Sequence, residues 1–323
     1  MPTTRRIDVV LLAVAVVWGS SYLTAKTATD ALPVPTVLFV RYAVAALACA
    51  AVLRRFGGTA GGTISGPTGG FTGGLTRDEK VYGGLLGLTQ AAVLVLETYG
   101  VAHTSAGNAG LIISLTLVLT PVLDRVALPG RFFLAAGVCL AGVGLLVSGN
   151  GLRAPGAGDL LMLAAAVVRA GHVVLVGRVT AGRALRPLHL TAVQCAVGAV
   201  LFLLPAAPGL PALARTGAVT WAQLLYLALF CGLFAFLAQT WAVQRTSATR
   251  AGLLLGTEPV WALLVGTALG GERLTGLSVL GAALVVTGTY WGQAVERAHR
   301  GPSAAATRDA APHGAATGVT QGS

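Results

Sequence analysis

Charged residues are scarce in this chain. Only 10% of its 323 residues are Asp, Glu, Lys or Arg, while 55% are hydrophobic. A soluble domain carries about 25% charged residues. This chain therefore cannot cover itself with a polar surface in water, and the composition predicts a membrane protein that crosses the bilayer many times.

Catalytic and metal-binding patterns are also missing from the sequence. The four cysteines, Cys49, Cys139, Cys195 and Cys231, lie in apolar runs without CxxC spacing or a histidine at ligand spacing. This pattern disfavours both a disulfide framework and a metal site. The sequence contains no GxxxxGK[ST], HExxH or GxSxG motif. We therefore expect no ATP drive, no cofactor, no metal and no catalytic residue, and we interpret the protein as a non-enzyme.

The remainder of the sequence consists mostly of apolar runs of about 20 residues. This is the length that a helix needs to cross the hydrocarbon core of a bilayer. The fold class we predict is all-α, integral membrane, with ten transmembrane helices. They are expected at about 8–27, 36–53, 81–102, 106–127, 131–148, 159–177, 188–206, 221–243, 247–269 and 274–294. The first is interpreted as an uncleaved helix because no A-x-A site follows it. A Gly-rich loop at 57–76 and a disordered cytoplasmic tail at 298–323 complete the chain.

The basic residues are distributed unevenly between the two sides of the ten helices. With the N-terminus in the cytoplasm, 16 Lys and Arg fall on the inside and four on the outside, while two lie within spans. The positive-inside rule expects this of a protein with both termini in the cytoplasm. The same distribution explains the net charge of +11, because the basic residues on the inside face anionic lipid headgroups. We therefore expect no nucleic-acid partner. We expect a multi-pass protein of the cell (inner or plasma) membrane.

The sequence repeats itself. Residues 97–118 match 239–260 without a gap at nine of 22 positions, and 8–17 match 159–168 at six of ten. Repeats in a fixed order indicate a duplicated unit, which divides the chain into 1–148, 149–297 and the tail. Five helices per unit is an odd number, so the second repeat is inverted. Inverted repeats are typical of secondary transporters, which bind substrate near the midplane between the halves.

At this point the residues resemble a known family. Trp18-Gly19-Ser20-Ser21 followed by Lys26 is similar to the opening of EamA-type members of the drug/metabolite transporter superfamily, and Phe39–Ala46 to the arginine-bearing second helix of that family. The resemblance covers about residues 7–294. It implies ten helices, an inner-membrane location and proton-driven or exchange-driven export of small metabolites or drugs.

The closing motif of that family is present only in the second repeat. Thr246-Ser247-Ala248, Glu258-Pro259-Val260 and Gly271-Glu272-Arg273-Leu274 resemble it. At the corresponding positions the first repeat has Thr116-Leu117 and Pro129-Gly130. The acidic groups of the second repeat therefore have no symmetric partner.

Ionisable groups inside the spans mark candidate sites, because placing them in hydrocarbon is costly. Arg41 and Glu97 lie at similar depth near the outer boundary and could pair, as a gate or as a holder of a charged part of the substrate. A structural ion pair, or an Arg41 side chain reaching the interface, is the alternative.

A second group of polar and aromatic residues lies near the midplane, at a common depth according to the helical rise per residue. We expect it to line the substrate cavity: Trp18, Arg169, His172, Gln90, Gln239 and Glu258. Trp18 would form an aromatic wall, and Arg169 would bind a substrate carboxylate or Glu258. Glu258 is the best proton-carrier candidate, although it could instead only cap a helix broken at Pro259. Pro121 and Pro259 are both expected to interrupt their helices.

These observations together predict a secondary active transporter. Its partners would be a small-molecule substrate, the lipid bilayer and protons as the coupling ion, and a homodimer is left open. The alternatives are an uncoupled facilitator or exchanger and a membrane-embedded enzyme. A pore is disfavoured because its selectivity needs rings of like groups, whereas the polar groups here are sparse and differ between the halves.

Overall fold

The computed structural model describes residues 2–57, 74–104, 106–125, 128–148, 156–269 and 275–309, and all regular structure in these ranges is helical. Within them, seven helices are long and apolar enough to cross a membrane. This confirms the all-α membrane fold, while the count of ten spans stays a prediction. Most of the expected Gly-rich loop, at 58–73, lies outside the described residues.

In the first half of the chain, the described residues form six helices. They are α1 (Pro2–Ala31), α2 (Val34–Gly57), α3 (Arg77–His103), α4 (Ala106–Ile113), α5 (Thr116–Asp124) and α6 (Gly130–Ser148).

In the second half, the part of the chain that the structure describes forms seven α-helices and two segments of other helical types. They are α7 (Ala157–Thr180), α8 (Pro187–Ala206), a 3₁₀ helix (Ala207–Arg215), α9 (Ala218–Ala228), a π-helix (Leu229–Phe234), α10 (Ala235–Val243), α11 (Ala248–Leu255), α12 (Glu258–Leu269) and α13 (Gly276–Asp309).

The last helix is longer than the sequence predicted. It continues to Asp309, past position 298, where a disordered tail was expected to begin. The alanine run at 304–306 has high helix propensity, which favours continuation of the helix. Residues 310–323 lie outside the described residues.

Two breaks appear at equivalent places in the halves. Helices α4 and α11 begin at Ala106 and Ala248, and helices α5 and α12 begin at Thr116 and Glu258. Both pairs of starting residues are 142 positions apart, which is the offset of the longer sequence repeat. At these two breaks the helix boundaries therefore share the offset of the sequence repeat.

The two prolines relate differently to these breaks. Pro259 is the second residue of α12, directly after the break at residues 256 and 257, so the span predicted at 247–269 is interrupted beside its proline as expected. Proline is tolerated at this place because the first N–H groups of a helix have no partner. Pro121 lies inside α5 without ending it, so the prediction is wrong for Pro121.

Corresponding helices of the halves pack on one another. Helix α6 packs along α13, and α2 packs along α8. Helix α1 contacts α12 and α11, while α7 contacts α5 and α4. This exchange of contacts is what the predicted two-fold relation between the halves would produce.

Candidate functional site

A small cavity lies where α1, α2, α3, α7 and α10 meet. Seven of the eight residues that the sequence predicted for the site line it: Trp18, Arg41, Gln90, Glu97, Arg169, His172 and Gln239. Its free volume is about 20 Å³, which is room for one water molecule. The site is therefore closed, with its polar groups drawn together.

Arg169 of α7 is the centre of the site. Its Nη2 donates to Glu258 Oε1 at 2.5 Å, and its Nη1 donates to Glu258 Oε2 at 3.2 Å. The same Nη1 donates to Glu97 Oε1 at 3.2 Å. One guanidinium thus joins a two-pronged pair and a second carboxylate, and it ties α7 to α3 and α12. Two-pronged pairs of this kind are the strongest that arginine makes.

Two aromatic side chains of α1 complete the surroundings of this network. The Arg169 guanidinium carbon lies 4.4 Å from the centre of the Trp18 ring, in cation–π range. The Tyr22 hydroxyl donates to Glu258 Oε2 at 2.9 Å. Sequence reasoning missed Tyr22. Its position one turn after Trp18, on the same helix face, was the available signal.

Close approach of two backbones puts Glu258 beside α1. A Cβ atom added to Gly19 would lie 2.6 Å from the Glu258 carbonyl oxygen and 2.7 Å from Trp261 Cβ. Only glycine fits at this distance. Gly19 therefore lets α12 begin against α1, and this brings the Glu258 carboxylate to Tyr22 and Arg169.

The π-helix supplies a backbone acceptor to the same site. The Cys231 carbonyl oxygen accepts from Trp18 Nε1 at 3.1 Å and from Arg41 Nη2 at 3.2 Å. A π-helical turn changes the register of the backbone hydrogen bonds, and such turns are frequent at functional sites. This acceptor orients both side chains toward the cavity. The sequence pattern did not predict the π-helical turn that provides it.

The expected pairing of Arg41 with Glu97 is not formed. Glu97 bonds to Arg169, and no carboxylate among the described residues comes within 4.0 Å of an Arg41 nitrogen. Arg41 lies instead with its guanidinium carbon 5.9 Å from the Phe236 ring centre. Similar depth in the membrane predicted the pair, but depth does not specify in which direction around its helix a side chain points.

The remaining predicted residues take polar positions around the network. His172 Nδ1 shares a hydrogen bond of 2.8 Å with the Thr89 hydroxyl, and Gln90 and Gln239 line the cavity. Ser21, 151 positions before His172, also lines it. The described residues contain no cluster of His, Cys, Asp and Glu that could hold a metal ion.

The aspartates of the shorter sequence repeat form contacts on either side of the cavity. Asp8 accepts from Arg250 Nε at 2.9 Å and from Arg250 Nη2 at 2.6 Å, which joins α1 to α11. Its counterpart Asp159 accepts from the Thr104 hydroxyl at 2.5 Å, which joins α7 to the end of α3. We call these two contacts the Asp8 latch and the Asp159 latch.

A further ion pair fixes α3 near the N-terminal end of its span. Arg186 Nε and Nη2 donate to the two carboxylate oxygens of Glu79 at 2.7 and 2.8 Å. The hydrogen bond to Glu79 raises the pKa of the Arg186 guanidinium. Because Arg186 immediately precedes α8, this pair holds α8 against the helix that carries Gln90 and Glu97.

Comparison with known proteins identifies one family. A model of the EamA-like transporter family matches residues 5–148 and, separately, residues 156–291. The two matches coincide with the two halves of the chain. The second-repeat motif at 271–274, which contributed to the resemblance, lies outside the described residues.

Relatives and a solved structure extend the match. An uncharacterized transporter of Archaeoglobus fulgidus is 27% identical over 283 residues, which are 86% of this chain and 83% of the relative. A second uncharacterized transporter of that organism is 27% identical over 216 residues, 64% of this chain and 74% of the relative. One crystal structure superimposes with a TM-score of 0.71 at 19% identity, covering 91% of this chain and 98% of the other. This likeness supports the fold.

Proposed function

The chain belongs to the EamA-like transporter family, and from that premise we propose that it is a secondary active transporter that exports a small metabolite or drug by proton-coupled alternating access. The observation that carries the proposal is the sharing of Arg169 between Glu97 and Glu258 in a closed cavity. Membership itself makes the chain a multi-pass membrane transporter. The inner membrane and cytoplasmic termini are part of the proposal.

The shared guanidinium gives the site a way to accept a proton. With Arg169 as the only cation in contact with Glu97 and Glu258 among the described residues, one carboxylate can become neutral while the other stays paired. A proton on Glu258 would weaken both bonds that join α12 to α7. A proton would thus change the packing of a helix that lines the site, as a coupled transporter requires.

The two latches give the proposed alternating access a structural basis. Asp8 precedes Trp18 by ten residues and Asp159 precedes Arg169 by ten, so each latch lies about 15 Å along its helix from the site. They close opposite sides of the cavity, because α1 and α7 run in opposite directions in the inverted arrangement. Opening one latch at a time would expose the cavity to one side of the membrane.

The experiment is a proton-movement assay with the purified protein in liposomes. Amino acids, nucleobases and cationic drugs are offered, and substrate-induced proton flux is recorded for wild type, Glu258→Gln and Arg169→Ala. We expect one solute class to move protons through wild type and Glu258→Gln to abolish that signal. Solute movement without a proton signal, unchanged in Glu258→Gln, contradicts proton coupling.

An exchanger or uncoupled facilitator is the second candidate. The cavity contains two guanidiniums, Arg41 and Arg169, and two carboxylates, Glu97 and Glu258, counting the carboxylate bonded to its lining. It is therefore formally neutral without any added proton. Counterflow of labelled solute with no proton movement would favour this candidate in the same liposomes.

A further inference from the structure

Arg41 is a buried cation with a vacant donor. Its side chain lines the cavity, and only 6% of the residue is exposed. Nη2 bonds to a backbone carbonyl, while Nε is buried without a hydrogen-bond partner. Every other buried arginine among the described residues pairs with a carboxylate: Arg169 with Glu97 and Glu258, and Arg250 with Asp8.

Among the described residues Arg41 forms no direct ion pair, because both carboxylates of the site are bonded to Arg169. A buried charge is costly unless it is closely paired and hydrogen-bonded. The Cys231 carbonyl and the Phe236 ring supply only partial compensation. Resting on the proposed transport function, we propose that Arg41 binds the carboxylate of the transported solute, and that the solutes of this protein are organic monocarboxylates.

The direct contacts in the cavity favour a single carboxylate as the group that Arg41 binds. Arg169 is already bonded to two carboxylates, so Arg41 is the one guanidinium left to bind a ligand. A phosphate dianion would need a second cation, whereas the planar guanidinium matches one carboxylate with two parallel hydrogen bonds. A cationic solute would meet Arg41 with repulsion.

The residues that line the cavity beside Arg41 favour a solute whose carboxylate is attached to an apolar group. Phe236, Trp18, Val93 and Leu94 line the cavity together with the amides of Gln90 and Gln239. Ligand sites are typically apolar with a few placed polar groups that fix orientation. Since the closed cavity holds about one water, such a ligand enters only when the helices separate, and its carboxylate then reaches Arg41.

The test uses four matched pairs of probes that differ in charge: acetate, hexanoate, benzoate and indole-3-acetate, each with its amide. Thermal unfolding of the full-length protein in detergent reports binding, because a ligand of the folded state raises the unfolding temperature. Wild type is compared with Arg41→Gln, Arg41→Lys and Arg245→Gln. The last is a matched control, since Arg245 is exposed and stacks on Trp241.

We expect at least one carboxylate to bind to wild type and to Arg245→Gln. The corresponding amide should bind at least tenfold more weakly. Arg41→Gln should weaken binding of the carboxylate about thirtyfold or more and leave binding of the amide unchanged. The carboxylate affinity of Arg41→Lys should lie between these two, because an ammonium keeps the positive charge but loses the pair of parallel N–H donors of the guanidinium. If no carboxylate binds better than its amide, or if Arg41→Gln binds both equally well, the inference is overturned.

Counterflow in liposomes separates this inference from the proposed function. Carboxylate binding that needs Arg41, with no solute carried, would support the inference and contradict transport. Neutral or cationic solutes carried equally by wild type and Arg41→Gln would support transport and overturn the inference.

Discussion

The Arg169 guanidinium carbon lies 4.4 Å from the centre of the Trp18 ring, and the two residues occupy equivalent positions in the two repeats. They are 151 positions apart, as are Asp8 and Asp159. Contact between equivalent positions is what the predicted inverted repeat would produce if its two-fold axis passed through the site. Glu97 and Gln239, 142 positions apart, likewise line one cavity. The site is built from equivalent positions whose side chains differ.

The stacking of Arg169 on Trp18 gives a first prediction. Trp18→Leu removes the aromatic face and the donor to Cys231, whereas Trp18→Phe keeps a face and removes only the donor. A desolvated cation–π contact contributes about 2 kcal/mol. We expect Trp18→Leu to unfold at a lower temperature and transport more slowly than Trp18→Phe. Equal loss in both variants would show that the Cys231 hydrogen bond matters and the stacking does not.

A second prediction concerns the buried charges around Arg169. Arg169→Met leaves Glu97 and Glu258 without a counter-ion, and breaking a buried pair from one side costs about 3–5 kcal/mol. We expect strong destabilisation in thermal unfolding at neutral pH. Adding Glu97→Gln and Glu258→Gln to Arg169→Met should restore most of the lost stability. Absence of any such rescue would contradict the charge argument.

Sequence reasoning reached the residues of the site more reliably than their contacts. Depth along each helix placed Arg169, Glu258 and Trp18 at one level, and they do contact one another. The same argument paired Arg41 with Glu97, which is wrong because helical rise gives depth alone. The direction of a side chain around its helix depends on packing with distant parts of the chain.

Backbone features were beyond the sequence pattern for a different reason. The Cys231 carbonyl acts through a π-helical turn, and the run around it reads as an ordinary apolar helix. Of the breaks before Thr116 and Glu258, only the second adjoins the proline that was expected to cause it. Their shared offset of 142 was nevertheless present in the repeat, which could have predicted that both breaks fall at equivalent residues.

Two tyrosines provide a matched comparison for the third prediction. Tyr22→Phe removes the hydrogen bond to Glu258, while Tyr42→Phe removes a buried hydroxyl that has no partner among the described residues. We expect Tyr22→Phe to lose about 1 kcal/mol of stability and to change transport. Tyr42→Phe should be neutral or stabilising, because it relieves an unsatisfied polar group. Thermal unfolding and initial transport rates report both effects.

The fourth prediction tests the close approach of α12 to α1. Gly19→Ala would place a methyl group against the Glu258 carbonyl oxygen and Trp261. The helices must then separate, at a cost of about 1–3 kcal/mol, and Glu258 moves away from Arg169. Gly84→Ala is the control, because a Cβ atom there meets nothing within 4 Å. We expect only Gly19→Ala to lower the unfolding temperature and the transport rate.

The fifth prediction assigns each latch to one side of the membrane. Asp8→Asn weakens the charged pair with Arg250, and Asp159→Asn weakens the bond to Thr104. A cysteine introduced at Ser21, which lines the cavity, reports access through labelling by a membrane-impermeant maleimide in oriented vesicles. The four native cysteines are buried, so the background in unmodified protein should be low.

Each latch variant should favour opening on its own side. About 1 kcal/mol of lost latch stability shifts a two-state equilibrium about fivefold, so labelling should rise by that order. Asp8→Asn should raise it from the side of the N-terminus, and Asp159→Asn from the opposite side. Arg250→Lys keeps the charge with one fewer well-placed donor and should act in the same direction as Asp8→Asn, but more weakly. Increased labelling from one and the same side in both aspartate variants would rule out opposed latches, because each contact would then control the same opening.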